Sequence, residues 1–373
     1  MQINVAIIFG GISVEHDISI LSAMQVINAI DQNKFKIFPI YIDRNGKWKY
    51  SSNFTQISAL SSSKYTEVIV KPNDDNLYGI KRKSIKPLCK LSCCVPITHG
   101  TNVEDGTLQG ILQSSGIPYT SSNVLSSAIT MDKEVMKMIF SYLGYPITKH
   151  HTIKKSQWLN SKDEALAQCD NIGFPLFVKP CSLGSSIGIS YTERQEQLEP
   201  AINLAFMLDE KVIIEQAVKN ATELNCSAFQ NRDKLMISAI EKPIKTHNFL
   251  NFENKYVSKS KTKSHINSQG MANLVRELPA NISKKLKSKV EDMTKNAYVD
   301  FGCKGIVRVD YLLDEDSNLY INEINSIPGS LAFYLWNEQD IKFPELIDSL
   351  IYSAIVDKAK EQKIIRTFES HLV

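Results

Sequence analysis

Two apolar runs, "GIVRVDYLL" (305–313) and "NLYINEIN" (318–325), flank the polar turn "DEDSN" (314–318), a pattern that predicts a β-hairpin. Alternate residues of a strand share a face, so Arg308 lies beside Asp310, and Glu323 beside Asn325. Counting outward from the turn sets Asp310 roughly opposite Glu323. Two carboxylates and an amide oxygen suit Mg²⁺, which takes a few protein oxygens and completes its shell with phosphate and water. A surface hairpin with outward charges is the plainer alternative. Against it, the acids interrupt strongly apolar strands and an arginine shares their face. A calcium loop through Asp314, Asp316 and Asn318 fails: no glycine follows, and Asn325 stands where the final glutamate belongs.

The stretch "KPCSLGSSIGIS" (179–190) places a lysine before a Gly/Ser loop, whereas a P-loop places it after the glycines. Lys179 supplies a point charge, the Gly184–Ser186 backbone can turn N–H groups toward a phosphate, and Ser185 and Ser186 add hydroxyls. Ile187–Ser190 predicts a returning strand. Alone, such a segment is a turn between strands; beside a magnesium hairpin, a nucleoside triphosphate becomes the economical ligand. Two further segments are open. In "FGGISVEHDIS" (9–19), helix entry explains both glycines, or Glu15 at a strand's carboxyl end holds a substrate ammonium. "HGTNVEDGTLQG" (99–110) is open in the same way: Glu104 and Asp105 serve a ligand at a strand's carboxyl end, or simply favour the positive start of the next helix.

The elements that must position these residues follow from apolar periodicity. Strands are predicted at 3–9, 35–41 and 93–98, with helices at 18–30 and 107–116, the latter stopped by glycine. This alternation argues for an α/β fold with an open parallel sheet, whose ligands gather at the strands' carboxyl ends. "MDKEVMKMIFSYLG" (131–144) has amphipathic helical spacing, and strands are predicted around 174–190 and 211–216. Strands at 224–230, 234–241, 306–313 and 319–324 accompany a helix near 283–299. Residues 244–270 are polar, Lys/Ser-rich and aperiodic, and read as an active-site lid. The division is 1–120, 121–214 and 215–373.

The 373 residues carry 43% hydrophobic and 22% charged side chains and a net charge of +3, too small to imply nucleic acid. The densest basic patch, "KRKSIK" (81–86), lacks interleaved aromatics and reads as a solvated loop. No apolar run approaches the roughly 18 residues of a membrane span. The start, "MQINVAIIFGG", reads as a first strand rather than a signal peptide, and the seven scattered cysteines read as reduced core thiols of a cytoplasmic protein.

Taken in order, "VAIIFGGISVEHDIS", "HGTNVEDGTLQG", "MDKEVMK", "FPLFVKPCSLGSSIGIS", "FENKY", "GCKGIVRVDYLL" and "YINEINSIPGS" resemble the motifs of the D-alanine–D-alanine ligases of the ATP-grasp superfamily. The resemblance covers nearly the whole chain. It implies an ATP-grasp fold, with ATP between two antiparallel sheets, behind an N-terminal Rossmann-like domain. It implies two D-alanines joined through an acyl phosphate, for peptidoglycan precursors, by a cytoplasmic homodimer with two Mg²⁺ ions, Mn²⁺ being a substitute. By position, Lys133, Lys179 and Lys255 would contact the ATP phosphates beneath Ser186, Glu215 would lie by the adenine, and Glu223 would bind the ribose. Asp310, Glu323 and Asn325 would hold the metal. Glu15, with Ser185 and Tyr256, would bind the first substrate's ammonium; His99 would line that pocket. Arg308 and the Gly329 N–H would stabilise the oxyanion.

This sequence departs from the family pattern in several places. Val103 replaces a glycine, so that turn cannot need positive φ there. "KNATELN" (219–225) is one residue longer before Glu223, and Leu250 and Phe252 replace lid tyrosines. Tyr334 stands where many members have a serine for the second substrate's carboxylate, with Leu335 next to it. The tail "PGSLAFYLW" resembles the branch that includes D-alanine–D-serine ligases, which makes D-serine the alternative acceptor. Tyr256 points to an amine rather than a D-lactate acceptor. Another ATP-grasp carboxylate–amine ligase and an inactive ATP-binding regulator are the rival readings.

Overall fold

The computed structural model describes residues 2–82, 84–244 and 275–365; Lys255, Tyr256 and all but the first residue of 244–270 lie outside them. The first sheet has seven strands, β1 (Ile3–Gly10), β2 (Phe35–Ile42), β3 (Trp48–Tyr50), β4 (Thr66–Lys71), β5 (Asp74–Lys81), β6 (Ser84–Lys90) and β7 (Cys93–Ile97), in the order β6-β5-β4-β3-β2-β1-β7. Val5 to Phe9 are buried without interruption because both faces of β1, which pairs in parallel with β2 and β7 on its two sides, are covered. The parallel reading holds for these three strands only. β2 to β6 pair antiparallel, through short connections except between β3 and β4, where residues 51–65 include the helix Ala59–Ser62; Asn73 and Arg82 stand in left-handed turns. The basic patch at 81–86 accordingly lies on the β5–β6 hairpin, and β6 is a solvated edge strand rather than a loop.

A second sheet joins β8 (His150–Lys154), β9 (Leu176–Pro180), β10 (Ser190–Thr192) and β11 (Lys211–Gln216) in the antiparallel order β10-β9-β11-β8; β11 runs past the boundary expected at 214. Leu176, Val178, Val212 and Ile214 face a core with Ile202 and Phe206. By alternation, Lys179 and Glu215 occupy the opposite face. The predicted strand at 187–190 starts only at Ser190. Ser185, Ser186 and Gly188 have positive φ (52°, 61° and 73°), which no strand accommodates.

The third sheet runs β13-β12-β16-β17, all antiparallel: β12 (Thr222–Asn231), β13 (Lys234–Ile237), β16 (Ile306–Leu313) and β17 (Leu319–Asn325). Helix 284–300 covers one face through Val290, Ala297 and Tyr298, against Val307, Val309 and Tyr311. A short pair, β14 (Lys242–Pro243) and β15 (Arg276–Glu277), follows β13. The C-terminal helix Phe343–Glu361 returns to the first unit, where Leu346 and Leu350 share a core with Phe9, Val26 and Trp336. All seven cysteines are free thiols, and burial pushes Cys169, Cys226 and Cys303 up to about 12.

Candidate active site

In the third sheet, Asp310 pairs with Glu323 and Arg308 with Asn325, and the register shifts just after Asp310. Val307, Val309 and Tyr311 are committed to the helix side, so Arg308 and Asp310 must face away from it, toward the second sheet's loop. Arg308 donates from Nε and NH2 to the two carboxylate oxygens of Asp310 at 2.6 and 2.8 Å, and Asn325 Nδ2 donates to Asp310 Oδ2 at 3.1 Å. Glu323 comes within 3.9 Å of Lys133 Nζ. Among the described residues no three His, Cys, Asp or Glu side chains form a metal cage by themselves. The donor set is two carboxylates and one amide, which fits Mg²⁺ sharing its shell with phosphate oxygens and water. Glu223 sits on the adjacent strand opposite Leu312, close enough for its charge to act on Asp310.

Facing this hairpin is the 181–188 loop. Asp132 caps helix 133–142 by accepting from the Glu134 and Val135 N–H groups, which directs Lys133 at the helix start into the cleft. Its ammonium donates to the Leu183 carbonyl at 2.5 Å. Ser185 donates to the Glu15 carboxylate, joining the loop to the end of the first sheet's β1. A Cβ on Gly184 would come within 2.9 Å of Glu15 Oε2, so only glycine lets the loop lie this close. Deeper in, Lys179 Nζ approaches Glu215 Oε2 at 3.1 Å. Burial opposes the Glu215 charge, but Lys137 and Lys179 outweigh it and hold the carboxyl at about 2.

Glu15, His99, Lys133, Ser185, Arg308, Glu323, Asn325 and Gly329 line one cleft of about 70 Å³. Glu15 is 5% exposed, and burial raises its pKa against the pull of Ser185 and Lys133. His99 Nε2 pairs with Ser22 Oγ at 3.2 Å, and burial with the nearby Arg308 charge holds its pKa down at about 4, so the imidazole is neutral. Ser22 also accepts from the Ser330 N–H at 3.1 Å, tying the cleft floor to the 328–336 turn.

Tyr334 and Leu335 are placed differently. Leu335 is wholly buried in the core shared with Phe9, and neither residue lines the cleft. The Tyr334 hydroxyl donates to Glu241 Oε1 at 3.1 Å, while the Arg276 guanidinium lies 3.8 Å from its ring centre and 3.1 Å from Glu241 Oε2. Glu241 also accepts from Asn225 Nδ2. Before them, Ser330, Leu331 and Ala332 are all left-handed (φ 54°, 54° and 46°), a conformation costing roughly 1–2 kcal/mol per residue that burial of this turn offsets.

Sequence reasoning missed Glu241, Arg276 and Lys137, and left Glu104 undecided between the helix start and the site. Asp105 alone serves the helix start, accepting from the Thr107 N–H at 3.0 Å. Glu104 instead turns into the cleft, accepting from the Gly100 and Ile327 N–H groups and from Ser326 at 3.1, 3.0 and 3.3 Å. Burial and the Glu15 charge push it up to about 8. The left-handed backbone at Asn102 and Gly106, on either side, separates the two acids. Val103 has ordinary φ, and its side chain packs on Gly11.

Comparison with known proteins supplies the context for this geometry. The family model described as "D-ala D-ala ligase N-terminus" matches residues 4–122, and "D-ala D-ala ligase C-terminus" matches 139–352. The chain belongs to the D-alanine–D-alanine ligase family. Curated relatives named D-alanine–D-alanine ligase agree over almost their whole length. That of Thermosipho melanesiensis is 35% identical over 98% of this chain and 96% of its own, and that of Caldicellulosiruptor bescii 35% over 98% of each. Among solved structures, the D-alanine–D-alanine ligase of Coxiella burnetii superposes with a TM-score of 0.80 at 24% identity, covering 97% and 96% of the two chains, a likeness of fold. The VanG D-Ala:D-Ser ligase of Enterococcus faecalis superposes at 0.79 with 28% identity, covering 95% and 100%. The fold is that of the ATP-grasp ligases.

Proposed function

We propose that the protein joins two D-alanines to D-alanyl-D-alanine, converting ATP to ADP and phosphate, for peptidoglycan precursor synthesis. The observation that carries this is the meeting, in one cleft, of an ammonium-binding carboxylate (Glu15 with Ser185) and an oxyanion-binding arginine (Arg308), beside Lys133 and the Asp310–Glu323–Asn325 donors. Glu15 holds the first D-alanine's ammonium, with the neutral His99 beside it. A carboxylate oxygen of that substrate then attacks the γ-phosphorus, ADP departs, and a D-alanyl phosphate forms. The second D-alanine's amine adds to the acyl carbon; the tetrahedral oxyanion rests on Arg308 and the Gly329 N–H; the C–O bond breaks and phosphate leaves.

Lys133, Lys179, Lys255 and the Ser186 backbone bind the triphosphate, Glu215 meets the adenine and Glu223 the ribose. Asp310, Glu323 and Asn325 would hold two Mg²⁺ ions, which neutralise developing phosphate charge. Tyr256 joins Glu15 and Ser185. A closed site protects the acyl phosphate from water. A cytoplasmic homodimer completes the reading, on family membership.

D-Serine is the second reading for the acceptor, favoured by Tyr334 and by the likeness to VanG. The Tyr334 hydroxyl is engaged by Glu241 and lies outside the cleft lining, so it does not offer the hydroxyl of a serine at that position, and its influence on the acceptor passes through the 328–336 turn. Phosphate release with ATP and Mg²⁺, given D-Ala alone, D-Ala with D-Ser, D-Ala with D-lactate, or L-Ala, with products identified by mass, decides between them. Dominant D-Ala-D-Ala supports the proposal; preferential D-Ala-D-Ser transfers the chain to the second reading; no turnover with any pair contradicts both.

A further inference from the structure

Helix 133–142 carries two lysines one turn apart, and residues four apart share a helix face. Lys133 reaches the Leu183 carbonyl; Lys137 reaches Glu215, and the function above gives it no role. Lys137 is 1% exposed, and its ammonium lies 3.3 Å from Glu215 Oε2. Lys179 lies 3.1 Å from the same oxygen, and the Thr148 hydroxyl 3.4 Å from it. One buried carboxylate therefore faces two ammonium groups, an excess of positive charge that is costly in a site withdrawn from water.

The excess disappears once a triphosphate is present. Lys179 stands on β9 at the mouth of the 181–188 loop and can turn to a phosphate, whereas Lys137 is enclosed and confined to Glu215. If Lys179 left and Lys137 were absent, the buried Glu215 would have no counter-charge and would take up a proton. A protonated oxygen facing the adenine's amino group sets donor against donor, because only the ionised carboxylate is acceptor on both oxygens.

We propose that Lys137 is a positioning residue for base recognition, the resident counter-ion that keeps Glu215 ionised and in place for adenine's exocyclic amino group while Lys179 moves to the phosphates. This rests on the ATP reading, and its test separates the two. Binding of adenosine, ATP and inosine triphosphate (a keto group in place of the amino group) is measured calorimetrically for wild type, Lys137→Met, Lys137→Arg, Lys179→Met and the double variant Lys137→Met/Glu215→Gln.

Lys137→Met is expected to weaken ATP about tenfold and inosine triphosphate far less, so that the preference for adenine collapses, while adenosine, which has no phosphate to draw Lys179 from Glu215, loses little. Lys179→Met weakens ATP and leaves adenosine unchanged. Lys137→Arg keeps the base preference, and the double variant recovers part of the ATP affinity because an amide needs no counter-ion. The melting temperature of nucleotide-free Lys137→Met stays near wild type, since Lys179 still neutralises Glu215. Equal loss for ATP and inosine triphosphate would make Lys137 a phosphate contact and overturn the proposal. So would a loss of adenosine affinity as large as that of ATP, unchanged binding throughout, or loss of base preference in Lys137→Arg. A wild-type protein that binds no ATP overturns the nucleotide reading itself.

Discussion

The 306–325 hairpin and the 328–336 turn adjoin in sequence and serve the same cleft, yet they are built by opposite means. In the hairpin, strand alternation sends Val307, Val309 and Tyr311 to the core and leaves Arg308, Asp310, Glu323 and Asn325 with one another. Its function depends on local register. In the turn, three left-handed residues expose nothing of their own, and Tyr334 is fixed by Glu241 and Arg276, 93 and 58 positions earlier. Its shape depends on distant partners. Substitutions should therefore touch chemistry in the first region, and stability together with acceptor binding in the second.

The hairpin gives the largest effect. Glu323→Ala removes one of the two carboxylates proposed to hold Mg²⁺, on a partly exposed side chain, so Mg²⁺-dependent ADP formation should fall about 100-fold or more while the melting temperature barely moves. Near-normal turnover would remove Glu323 from the metal site. In the turn, Tyr334→Phe keeps the ring beneath Arg276 and deletes one buried hydrogen bond, costing about 1 kcal/mol of stability. The acceptor KM should change severalfold while the donor KM stays constant; a change in the donor KM alone would break the distinction.

Glu104 joins the two regions through Ser326 and Ile327 and gives the smallest effect. Its folded pKa, about 8, is raised from the usual 4.5, so its contribution to stability is complete below the lower value and is lost as pH rises through the higher one. Glu104→Gln should flatten that part of the stability curve, raising the melting temperature at pH 9 relative to wild type more than at pH 5. Parallel curves would show that Glu104 does not titrate this way.

The same contrast explains what the sequence made legible. Asp310 opposite Glu323 follows from counting residues outward from a turn, and Lys179 on a strand before its loop from a five-residue apolar run. The β3–β6 strands escaped because β3 is short and the other three are half-exposed or, in β6, almost wholly exposed, without the alternation of a buried face. Ile187–Ile189 looked like a strand by composition, but Gly188 turns left-handed there. Glu104 and Asp105 differ only through the left-handed residues on either side, a backbone property that residue type does not display. Lys137 had a signal, its four-residue spacing from Lys133, but its partner Glu215 lies 78 residues away on another element. Glu241 and Arg276 carried none, since neither sits in a motif and both act through Tyr334.

The central claim is that a substrate carboxylate, rather than water, attacks ATP. D-Alanine labelled with ¹⁸O in its carboxylate, turned over with ATP and Mg²⁺, tests it directly. The mechanism transfers one labelled oxygen to each phosphate released with dipeptide, because the bridging oxygen of the acyl phosphate departs with phosphorus. Released phosphate free of label would mean that the dipeptide bond, or the ATP, is broken by another route, and would contradict the account.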